Sequence, residues 1–174
     1  GRIDHALHET TAKKALQDAV AFDDAIKTAI DKMKTIDPEL KNTLIVVTAD
    51  HDHTLVLNGY AKRTGKTTST NAGVLGLVKN YVTGDNWLDA GGMPFSIIGF
   101  GNGENRPQYR SLLTDSMVSA NDYHQEAAIQ VGAGSETHGG TDVFLGAMGK
   151  GADNFMGSME NIEVYNAIRK ATGI

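Results

Sequence analysis

The chain contains no cysteine. Disulfides and thiolate metal sites are therefore excluded, and the absence fits a reducing or an oxidising compartment equally well. No apolar run approaches the ~20 residues that a membrane-spanning helix requires. Positive charge is not in excess: the net charge is -5, which argues against nucleic acid as a specific partner and against an anionic membrane surface. There is no opening Met, and Gly1-Arg2-Ile3-Asp4 is not a signal peptide. The expectation is that the chain begins partway through a longer protein. No repeat of fixed period and no long low-complexity tract is visible. What remains, 174 residues with 40% hydrophobic and 21% charged side chains, is an ordinary globular composition, long enough for one domain with a real core.

The most informative stretch is Thr48-Ala49-Asp50-His51-Asp52-His53. It follows Leu44-Ile45-Val46-Val47, a short branched apolar run that reads as a buried strand. In open α/β sheets, ligands sit at the carboxyl ends of the strands. Carboxylate beside imidazole suits zinc and similar divalent ions. The same residues could also form an ordinary polar loop.

Ahead of it, Asp4 and His8 lie four apart, on one face of a helix at helical spacing. They either share a cation, or Asp4 caps a helix whose first turn carries His5 and His8. Thr11 to Thr35 is the strongest helix, with Leu16, Ala19, Val20, Ile26, Ala29, Ile30 and Met33 on its apolar face. Lys13, Lys14, Asp18, Asp24, Lys27, Asp31 and Lys34 supply the wet face. Pro38 forbids continuation and pushes Asp37 to an extended conformation. Helix, short turn and buried strand together indicate an α/β fold.

Beyond His53, residues 54–57 read as a short strand, Thr64 to Asn71 as an exposed loop and Gly73 to Val82 as a short helix. Residues 94–100 read as a core strand ended by Gly101-Asn102-Gly103. Glu104 to Gly134 reads as irregular and polar, with His124 as a surface histidine. Glu136-Thr137-His138-Gly139-Gly140 precedes a third core strand at 142–146. The two glycines let the backbone approach something closely, or His138 is incidental to a loop turn. Ser158 is expected to cap a last helix, Met159 to Ala171, with Gly173 as its stop.

Five of the six histidines thus fall in three polar clusters: His5 and His8, His51 and His53, and His138. They suit a zinc site with three protein ligands and an open position. They also suit a two-metal site of the kind that clamps both oxygens in phosphoryl transfer.

Three motifs in order, Gly-Arg-Ile-Asp-His-x-x-His, Thr-Ala-Asp-His-x-His and Glu-Thr-His-Gly-Gly-x-Asp-Val, closely resemble the C-terminal half of the alkaline phosphatase family. Asn58-Gly59-Tyr60, Tyr109-Arg110 and the Gly-Asn-Gly after the second strand join the resemblance, which covers essentially the whole chain. It implies a partial three-layer α/β/α sandwich with irregular crown-like insertions. Residues 1–57 would carry the first metal motifs. Residues 58–135 would hold the crown-like segments around a core strand near 94–101, and 136–174 a core strand and the last helix. It further implies two zinc ions and one magnesium. Asp4, His8 and His138 look like ligands of the first zinc, Asp50 and His51 like ligands of the second. His53 would hydrogen-bond a first-site carboxylate, Asp4. His5 would lie near the phosphate, and Asp52 would face solvent.

The serine nucleophile of the family has no counterpart; Asp115-Ser116-Met117 is a poor imitation. No catalytic residue is therefore expected in this chain, and most magnesium ligands would lie upstream. The implied activity is hydrolysis of phosphate monoesters through a phosphoserine. The implied partners are the N-terminal portion of the same enzyme and a second copy in a homodimer, in the periplasm or outside the cell. A non-catalytic metal-binding module and another two-metal phosphohydrolase, such as a phosphodiesterase, are the alternatives.

Overall fold

Alternating charged and apolar residues at helical spacing make α2, Ala12–Lys34, the longest element. The computed structural model describes residues 1–59, 62 and 65–174. Tyr60 of the Asn58-Gly59-Tyr60 stretch, and Thr64 at the head of the expected loop, lie outside the described residues. The helix ends where expected. Asp37 then accepts bonds from the backbone N–H groups of Lys41 and Asn42 and from the Thr43 hydroxyl. These donors hold its carboxyl below the ordinary range, the Asn42 N–H most of all, and shape the turn into the strand β1, Leu44–Thr48. The expected apolar face of α2 is only partly covered: Leu16, Ala19, Ile26, Ile30 and Met33 are half-buried, Ala29 is exposed and Val20 is 63% exposed, while the fully buried residues of the helix are Ala12 and Ala15.

Two compact units divide the chain, Gly1–Val20 with His53–Gly140, and Ala21–Asp52 with Thr141–Ile174. The segment 1–57 is thus shared between them.

The first unit opens with α1, Arg2–His8. It contains a three-stranded sheet in which β3, Ile98–Gly103, pairs antiparallel with β2, Leu55–Leu57, and parallel with β4, Ala127–Gln130. Ala12, Leu75, Ile98 and Phe100 form its main core, with Leu7, Leu16, Leu55 and Ala127 packed around them. Three expectations shift here. The core strand begins at Ile98 rather than residue 94, because Pro94 has no N–H for a ladder and 94–96 make only isolated bridges. The helix expected over Gly73 to Val82 is one 3-10 turn, Gly73–Leu75. Gly76 is extended, and Leu77 turns away to donate to Asp115 and bridge Ser96. The polar stretch after Glu104 is not wholly irregular. It supplies β4 and a one-turn helix, α3 (Asp115–Val118), capped by the Thr114 side chain. Arg110 anchors this stretch by bonds to Glu126, Asp89 and the Pro94 carbonyl.

In the second unit β1, Leu44–Thr48, pairs antiparallel with β5, Leu145–Gly149. The strand expected at 142–146 begins three residues later, because Thr141 is held by Asp52 through its N–H and hydroxyl. Asp52 is accordingly half-buried and bonded, rather than turned to solvent. The last helix, α4, spans Asn161–Thr172 and stops at Gly173 in the left-handed conformation. Its cap is Glu160, not Ser158. Glu160 accepts from the Glu163 N–H while Glu163 reaches back to the Glu160 N–H, a reciprocal pair that satisfies two orphan donors. Phe155, Ala167 and Ala171 form the core, with Leu44, Val46, Leu145, Ala147 and Val164 against them. Helices and strands thus mix in each unit, as an α/β fold requires. Among the described residues no helix is long and apolar enough to cross a membrane.

Candidate metal centre

One turn of α1 sets the first pair of donors. Asp4 and His8, at i and i+4, bring Oδ1 and Nε2 to 3.4 Å. The helix ends immediately afterwards. The Thr11 N–H returns to the Ala6 carbonyl and the Thr10 N–H to the Leu7 carbonyl, with Thr10 at a φ of 55°. This is a Schellman closure. A non-glycine residue holds its left-handed position.

Two further histidines arrive from distant sequence. His53 and His138 face one another in an isolated antiparallel bridge. The rings of His8, His53 and His138 pack at centroid separations of 4.9, 5.2 and 5.4 Å. One ligand atom from each of Asp4, His8 and His138 lies within 4.8 Å of the others. His138 is exposed, Asp4 and His8 are half-buried, and His53 and Glu136 are buried. The donors therefore stand at an open rim backed by a closed polar floor.

The floor is hydrogen-bonded throughout. His53 places Nε2 3.2 Å from Asp4 Oδ1 and Nδ1 2.6 Å from Glu136 Oε2. Glu136 Oε1 accepts from the Thr54 N–H and hydroxyl. The Glu136 backbone carbonyl accepts from His8 Nδ1, which leaves Nε2 of His8 as the free lone pair. One carboxylate and two imidazoles, one of them (His8) with its second nitrogen fixed, fit a divalent ion of the zinc type.

The remaining expected residues, His5, Asp50 and His51, are not members of the Asp4–His8–His138 group. His5 has a 78% exposed side chain, and its Nε2 is 4.0 Å from Asp4 Oδ2. Asp50 and His51 belong to the second compact unit, at the carboxyl end of β1. Their charged atoms are 3.7 Å apart and the Asp50 side chain is 90% exposed. His51 Nδ1 bonds the Asp52 carbonyl. They line an open cleft of about 330 Å³ together with Thr48, Asp142, Ser158 and Glu160. These two residues offer half a tetrahedral set. His124, expected as a surface histidine, is half-buried. Its Nδ1 lies 2.6 Å from both the Glu9 carbonyl and Glu104 Oε1.

Sequence reasoning gave Glu136 no role of its own. A carboxylate two residues before a candidate ligand is a weak signal, because nothing in its spacing reveals burial.

A profile of the alkaline phosphatase family matches residues 1–174. A membrane-bound alkaline phosphatase of Bombyx mori is 35% identical over 94% of this chain and 27% of its own length. The tissue-nonspecific alkaline phosphatase of Rattus norvegicus is 37% identical over 86% of this chain and 25% of its own. An alkaline phosphatase of Gadus morhua is 34% identical over 100% of this chain and 33% of its own. The chain spans between a quarter and a third of these relatives. With the family profile covering every residue, and with the three histidine-bearing motifs in order along it, this chain belongs to the alkaline phosphatase family.

Proposed function

We propose that this chain is the C-terminal, metal-binding portion of an alkaline phosphatase that hydrolyses phosphate monoesters. The gathering of Asp4, His8 and His138 from opposite ends of the sequence carries this reading. In it these three residues hold one zinc, and Asp50 and His51 contribute to a second. A bound ion supplies Lewis-acid charge where negative charge develops on phosphoryl oxygens. The chain's own residues prepare the position. His8 presents Nε2 because its Nδ1 is occupied, Asp4 is steadied by His53, and His5 stands exposed beside Asp4 for a phosphate or water contact.

The serine nucleophile, most magnesium ligands and the remaining second-site ligand come from the N-terminal portion in this reading. The short coverage of the relatives supports it. So do large apolar side chains left exposed, among them Phe144 at 80%, Ile162 at 81% and Tyr165 at 64%. A homodimer, crown-like roles for parts of 58–135, and a location in the periplasm or outside the cell belong to the same reading.

Elemental analysis after dialysis tests the metal assignment. The chain should retain zinc, and His138→Ala should remove the equivalent held at the Asp4–His8 site; unchanged zinc content in that variant would refute the ligand set. The chain alone should not hydrolyse p-nitrophenyl phosphate. Full phosphatase activity from the isolated 18.5 kDa chain would sink the requirement for a further portion.

A further inference from the structure

Glu136 is the most deeply placed ionisable group near the metal donors, with a side-chain exposure of 0%. Burying a carboxylate is costly unless its lone pairs are matched. Here they are matched by two different sets of partners. Oε1 takes the Thr54 N–H and hydroxyl, which anchors the 136 loop to the start of β2. Oε2 takes His53 Nδ1, and the opposite nitrogen of that ring reaches Asp4. The backbone takes part as well. The Glu136 carbonyl receives His8 Nδ1 and its N–H donates to the His8 carbonyl. One residue therefore touches, directly or through one ring, both donors on α1. It stands two positions before His138, the third. With carboxylate oxygens at both of its nitrogens, the His53 ring cannot turn without breaking a bond.

We propose that Glu136 is the positioning residue of the metal centre, acting on Asp4 through His53 in addition to anchoring its own loop. The proposal rests on the metal-binding reading above. Partners of this kind behind metal ligands set affinity, and their loss weakens binding by about 10–100-fold.

Two variants separate the two functions. In Glu136→Gln the amide oxygen still accepts from Thr54, so the loop anchor persists, while the carboxylate facing His53 is lost. In Glu136→Ala both are lost. Zinc affinity of the full chain is measured by competition with a chromophoric chelator, and metal-free stability by thermal melting. Glu136→Gln should bind zinc about 10-fold or more weakly, with a metal-free melting temperature close to that of the unmodified chain. Combining it with His53→Gln should weaken zinc no further than His53→Gln does alone, because one chain of contacts is cut twice. Unchanged zinc affinity in Glu136→Gln would overturn the proposal. So would multiplying effects in the double variant, or a melting temperature in Glu136→Gln as low as in Glu136→Ala. A chain that binds no zinc at all fails the metal reading itself and removes the proposal with it.

Discussion

Thr10 carries a backbone cost that threonine usually avoids. Its φ is 55°, a left-handed conformation unfavourable for a β-branched residue. The turn it makes ends α1 directly after His8, and its carbonyl receives the Gln125 N–H. The space it occupies is shared with Gly103, where an added Cβ would sit 2.6 Å from the Thr10 methyl. A second glycine is constrained more severely. Gly149 has a φ of +93°, and a Cβ there would lie 2.1 Å from the Thr43 carbonyl oxygen. Gly149→Ala is expected to cost about 3 kcal/mol, combining backbone strain with overpacking. Chemical denaturation measures this, and a loss well under 1 kcal/mol would show that the Thr43 carbonyl yields freely. At this scale the sequence exposed the donors. Spacing left Asp4 and His8 as either a cation-sharing pair or a capped first turn, and His138 as either a close-approach residue or an incidental loop histidine; the resemblance of the three ordered motifs singled them out. Glu136 and Asp52 were not legible, because their roles depend on His53, Thr54 and Thr141, which are 82 to 89 residues away.

Elements were legible where they depend on local pattern. α2 and β1 lie within a residue of expectation because periodicity, Pro38 and the branched run are local signals. β4 was missed because Ala127–Gln130 has one branched residue and three exposed positions; it is a strand only because β3 offers it a parallel edge. The short helix expected after Gly73 fails for the converse reason: its apolar spacing was weak, and a sheet partner at Ser96 competes for Leu77. At the start of α4, Ser158 is the better capper by residue type. The chain instead uses Glu160, whose pairing with Glu163 satisfies two donors where a serine two residues earlier would satisfy none in register. Glu160→Ala should therefore destabilise α4 by ~1 kcal/mol, whereas Ser158→Ala should have little effect. Hydrogen exchange of the Asn161–Glu163 amides reads the difference, and equal protection in the two variants would contradict the assignment.

Across the molecule, acid sensitivity follows from several carboxylates at once. The Lys14 ammonium holds Glu9 below its ordinary value of 4.5. The Asn42 N–H does the same for Asp37, and the Met93 N–H, followed by Arg110, for Asp89, both below 3.8. In each case the folded form releases its proton more readily than the unfolded chain. The stability they contribute is thus complete above pH 4.5 and is lost as pH falls through the lowered folded values. Melting temperature in metal-free buffer should hold from neutrality down to that point and then fall. A profile that stays flat down to pH 3, roughly a unit below those ordinary carboxyl values, would show that these bonds contribute nothing net.

By itself the sequence determined the α/β class, the long helix, the first strand, the family and the identity of the metal-capable donors. Each of these is written in local spacing or in ordered motifs. Only the tertiary structure decided that the Asp4–His8 pair of α1 meets His138 across 130 residues, and that a buried glutamate stands behind them. It also placed Asp50 and His51 in the other compact unit. Contacts between distant segments are set by how the chain packs its apolar faces, which periodicity along the chain does not encode.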